Sequence, residues 1–158
     1  MAVEAKADES FGETVAKTLV AAQTRAKVNP RSNGVVRLHQ LRSAILGINP
    51  GDEIPDAGIR YQLITACAGA LCEAERHNYS RSLMLVHEFI TDKTDDVKHK
   101  CNADDLNDFV FQLSRGDISK VKSGVIYGPF TVRGTSILTR QVNLFIGKVS
   151  RNIRPTDG

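Results

Sequence analysis

The chain has 158 residues, of which 41% are hydrophobic and 25% charged, a balance that suits one globular domain and excludes collagen-like, fibrous and disordered classes. Its net charge of +3 is too small to indicate nucleic acid from the molecule as a whole, and Lys98 to Lys100 and Lys120 to Lys122 read first as solvated loop charge. No apolar run approaches the roughly 18 to 20 residues of a membrane span, and Glu4, Asp8 and Glu9 stand where a signal peptide needs basic then apolar residues, so a cytoplasmic protein is expected.

In chain order, Val3 to Ala7 reads as the end of a strand and Phe11-Gly12 as the turn after it. From Glu13 to Arg25 the residues Val15, Ala16, Leu19, Val20 and Ala22 recur at helical spacing. Asn29, Pro30, Ser32, Asn33 and Gly34 break that helix, and Val35 to Leu46 begins another that stops at Gly47. The longest helix is predicted over Ala57 to His77, with Asp56 before it in the place of a cap. Ser82 to Phe89 is apolar almost throughout, which suits an interior strand covered on both faces.

Asn102 followed by Asp105 resembles a capping arrangement for a helix through Leu106, Phe109, Val110 and Leu113 that ends before Gly116. Gly124 to Val132 and Val142 to Val149 are rich in Val, Ile, Phe and Thr and read as closing strands, with a fraying tail after Ser150. Strands alternating with helices predict an α/β fold, a mixed β-sheet flanked by helices, in a single domain over residues 1–150 with a flexible tail over 151–158. Cys67, Cys72 and Cys101 contain no Cys-x-x-Cys pair and read as buried free thiols.

Glu4 and Lys6 are two apart, so in a strand both face one side of the sheet. The ordered set "VEAKADESFGETV", "RYQLITACAGALCEAERHN" and "LMLVHEF" resembles a family of uncharacterised bacterial proteins distantly related to restriction endonucleases, within the PD-(D/E)XK superfamily. The likeness spans Val3 to about Gly116. It implies a restriction-endonuclease-like core lacking its first strands, in which Glu4 ligates magnesium or manganese, Lys6 orients or deprotonates a water, and Gln62 arranges the lysine or the substrate.

The superfamily's aspartate upstream of Glu-x-Lys has no counterpart here, since only Met1 and Ala2 precede that strand. The expectation is a chain without its natural front end, whether from a late-assigned start, trimming or evolutionary loss. Pro55-Asp56 follows the strand instead of preceding it, and Asp8 and Glu9 read as exposed. Glu88, on an interior strand, is either a strand-end carboxylate reaching solvent or a substitute acid paired with Lys6 or a metal. His87 reads as a hydrogen-bonded core residue or as a base, and His39, His77 and His99 as solvated. No Walker, dinucleotide or Gly-x-Ser-x-Gly motif occurs.

Two roles stay open. One is metal-dependent phosphodiester hydrolysis, with DNA as the expected substrate and an incomplete site; the other is a catalytically inactive module that binds nucleic acid or protein, and beside both stands a chain with no independent activity. A sheet edge left open beside Val3 predicts a homodimer.

Overall fold

In the computed structural model, which describes residues 1–7, 9–49, 56–132 and 141–153, four helices and a four-stranded mixed sheet alternate along the chain. Strand β1, Ala2–Lys6, leads through α1 (Val15–Val28), α2 (Gly34–Leu46) and α3 (Tyr61–Arg76) to β2, Arg81–Ile90. Helix α4, Asp96–Leu113, then leads to β3 (Ile126–Phe130) and β4 (Asn143–Asn152). The order across the sheet is β1-β2-β4-β3; β1, β2 and β4 run parallel and β3 is antiparallel to β4. This is the expected α/β class, and β2 holds the expected interior place.

The helices form where apolar residues recur at three- and four-residue spacing. Val15, Leu19 and Ala22 bury one side of α1, whose N-cap Thr14 accepts from the Lys17 amide. α2 ends at Gly47, which adopts φ +72° and lets its amide reach back to the helix carbonyls, as expected of a C-terminal glycine. Leu63, Ile64, Cys67, Ala70, Leu71 and Ala74 bury the face of α3 that packs on β1 and β2. With Met84, Val86, Leu144 and Ile146 from the sheet and Leu106, Phe109 and Val110 from α4, all of these but Ala70 form one apolar cluster.

Several expectations are corrected. Asp56 is no cap: α3 begins four residues after the predicted start, with Arg60 at its N-cap, and Asp56 is wholly buried against Arg42. Asn102 is no cap either. α4 starts earlier, where the Asp95 carboxylate accepts from the Val97 amide at 2.8 Å, and Asn102 lies buried in mid-helix. β2 is not covered on both faces, for Ser82, Met84, Val86 and Glu88 are buried while the alternate residues Leu83, Leu85, His87 and Phe89 are only half-buried. β4 runs on past Ser150 to Asn152, opposite Ile90. Asp8, Pro55 and the tail over 154–158 lie outside the described residues.

Candidate functional site at the carboxyl ends of the parallel strands

The three parallel strands carry their charged inward residues toward their carboxyl ends, the side of an open α/β sheet where ligands are usually received. Lys6 pairs in register with Glu88, and Glu88 with Ser150, so these three side chains share the helix-covered face. Glu4 and Lys148 stand two residues earlier on that face, flanking Val86.

The structure brings Glu4, Lys6 and Gln62 into direct contact. Lys6 Nζ lies 3.2 Å from Glu4 Oε1 and donates to Gln62 Oε1 at 3.1 Å and to the Ser10 carbonyl at 3.1 Å. Gln62 Nε2 in turn donates to Glu4 Oε1 at 2.5 Å. An ammonium has three protons, and three acceptors surround this one. The Phe11 ring centroid lies 5.0 Å from Nζ and forms an apolar floor, since Phe11 itself is fully buried. Lys6 is 3% exposed, whereas the Glu4 side chain is 21% exposed.

Glu88 belongs to a second cluster. It neither reaches solvent nor touches Lys6: at 2% exposure, its Oε2 lies 3.0 Å from Lys148 Nζ and accepts from Ser150 Oγ at 2.8 Å, and its Oε1 lies 3.0 Å from His99 Nδ1. His99 is therefore a site residue and not the solvated histidine expected. Ser150, Glu88 and His99 do not form a nucleophilic triad, because the carboxylate sits between the hydroxyl and the imidazole, leaving no base on the serine. His87 points to the other face of the sheet and packs its ring on Phe89, with centroids 4.2 Å apart.

Sequence reasoning overlooked Lys148, Ser150 and Ser10, and read His99 as solvated. The first two had a signal, since alternation along β4 places Lys148 and Ser150 on the same side as the buried Leu144 and Ile146. Ser10 contributes only its backbone, and His99 depends on how α4 crosses the sheet; neither is visible in residue spacing.

The stretch from Glu9 to Glu13 is fastened at successive points. Besides the bond from Lys6 to Ser10, Asn102 Nδ2 donates to the Glu9 carbonyl at 2.8 Å and Arg60 Nη1 to the Gly12 carbonyl at 2.9 Å. The Tyr61 amide then donates to the Glu13 carbonyl at 3.0 Å. Gly12, at φ +70°, makes the bend that lets Phe11 turn inward.

A magnesium or manganese ion, which the resemblance implies, does not fit this donor set. Both oxygens of Glu88 are spent on protein donors, and Glu4 shares Oε1 with an amide and an ammonium whose positive charge opposes a dication. Among the described residues, no three His, Cys, Asp or Glu side chains gather to hold a metal ion.

Fold and cluster together define an α/β protein with a mixed sheet and an internally paired polar site at its parallel strand ends. The chain belongs to the family described as "Domain of unknown function (DUF6946)", which matches residues 1–153. No curated protein and no solved structure matches the chain significantly.

Proposed function

We propose that the chain is a cytoplasmic, catalytically silent binding module built on a nuclease-like core, in which the strand-end cluster is a structural lock. The observation that carries this reading is the saturation of Lys6, whose three donors are taken by Glu4, Gln62 and Ser10, leaving none to orient a water. The lock ties β1 to α3 and to the loop that carries Phe11 into the core. Among the described residues the outer edge of β1 has no strand partner, which supports a homodimer as the assembled form.

Calorimetric titration with manganese and a cleavage assay on duplex DNA with magnesium test the reading. The expected result is no metal binding that depends on Glu4 and no cleavage. Metal-dependent cleavage that vanishes in Lys6→Met, with the fold retained, would overturn it in favour of metal-dependent phosphodiester hydrolysis.

A further inference from the structure

The modest net charge conceals a strong asymmetry. Residues 14–51 contain six of the 21 Lys and Arg and none of the 18 Asp and Glu, so that stretch carries +6 while the rest, with fifteen against eighteen, carries −3. Two of the six cations are occupied: Lys17 pairs with Glu13 and Arg42 with Asp56. The other four, Arg25, Lys27, Arg31 and Arg37, are exposed, and among the described residues none is in an ion pair.

Their placement concentrates them. Arg25 and Lys27 lie in the last turn of α1, Arg31 in the connection, and Arg37 in the first turn of α2, so all four surround one end of the α1–α2 hairpin. No acidic residue stands in the first turn of α2. Asn29, Ser32 and Asn33 lie between the cations and offer short polar donors suited to phosphate oxygens. Of the acids on neighbouring elements, Asp56 is occupied by Arg42 of α2, and Asp105 of α4, a helix that packs against α2, is occupied by Arg60.

We propose that this hairpin end is a docking surface for the phosphate backbone of duplex nucleic acid. The inference rests on the reading of the chain as a binding module and supplies the partner. Residues 14–51 contain no Phe, Tyr or Trp, so the surface has no platform on which unstacked bases could lie. That favours a duplex held by its charge over a single strand read by stacking, and binding without sequence preference.

Fluorescence anisotropy of a labelled 25-base-pair duplex, with the full chain at 50 mM and 200 mM salt, tests the proposal. Four phosphate contacts predict a slope of log affinity against log salt of about −3.6. The variant Arg25→Ala/Lys27→Ala/Arg31→Ala/Arg37→Ala, checked for folding by circular dichroism, should bind at least tenfold more weakly with a slope near zero. Duplex binding unchanged in that variant would overturn the surface, as would no binding at 50 mM salt. Polyglutamate competing as well as unlabelled duplex would reassign the surface to an acidic polypeptide and overturn it too. Cleavage of the duplex with magnesium would instead sink the silent-module reading while leaving the surface standing, so the two failures are separable.

Discussion

At the residue scale the most consequential side chain is Lys6, because two roles predict opposite behaviour for its removal. As a lock, Lys6→Met frees Glu4, Gln62 and the Ser10 carbonyl from their shared donor, and buried polar groups left unpaired cost about 1–3 kcal/mol each. Urea denaturation should therefore show a lowered midpoint for Lys6→Met, whereas a purely catalytic lysine would leave stability untouched. Asp56 sets up a larger effect. Arg42 Nε and Nη2 donate to its two oxygens at 2.7 and 2.8 Å, and both residues are almost wholly buried. Asp56→Ala leaves a buried guanidinium without its counter-charge and should cost about 3–5 kcal/mol, while Arg42→Met/Asp56→Leu should recover most of the loss, as denaturant midpoints of the three proteins would show.

The cysteines allow a test of packing at the same scale. Cys67 is buried and desolvation holds its thiol far above the usual range, while Cys72 and Cys101 are exposed, contrary to the expectation of three buried thiols. A thiol reagent should titrate two cysteines in the native chain and three in denaturant. Above the ordinary thiol value of 9.0 the unfolded chain releases a proton that the folded chain keeps at Cys67. Stability should accordingly fall as pH rises beyond 9.0, and Cys67→Ala should flatten that dependence in pH-resolved thermal melts.

At the scale of elements, periodicity revealed which segments are helix or strand and left their ends and polar partners hidden. α2 ends at the glycine expected of it because a C-terminal αL residue is a local requirement. Asp56 and Asn102 misled for a shared reason: a short polar side chain before an apolar run is a capping signal, yet each was needed for a contact distant in sequence. Asp56 answers Arg42, and Asn102 answers the Glu9 carbonyl 93 residues away. Glu4, Lys6 and Gln62 were legible as a set through resemblance and strand alternation, whereas Glu88 could be assigned its neighbours only after β4 was laid beside β2. Residues 9–13, between β1 and α1, are held by single hydrogen bonds from side chains outside the stretch, each of which can be removed in turn. Asn102→Ala removes the donor to Glu9 and should raise amide exchange in residues 9–13 while leaving exchange in α3 unchanged.

At the scale of the whole molecule, the described helices all pack on one face of the sheet. The helices cover the face that holds Met84, Val86, Leu144 and Ile146, while the opposite face carries Val3, Ile126 and Val149 at exposures of 51%, 60% and 38%. Among the described residues β1 pairs with β2 alone, so the backbone groups of its outer edge have no strand partner. Single-domain proteins commonly place charge on such an edge, but the outward positions of β1 are Val3 and Ala5, both exposed and uncharged. A second copy pairing along β1 would satisfy those backbone groups and cover Val3. Sedimentation velocity should then show concentration-dependent association between one copy and two. Val3→Lys/Ala5→Lys places two ammonium groups at the edge and should shift the boundary to the single-copy value without altering the helical circular dichroism. A wild-type chain sedimenting as one copy at every concentration would rule out pairing along β1 and leave the proposed basic hairpin surface as the remaining candidate for a contact with a partner.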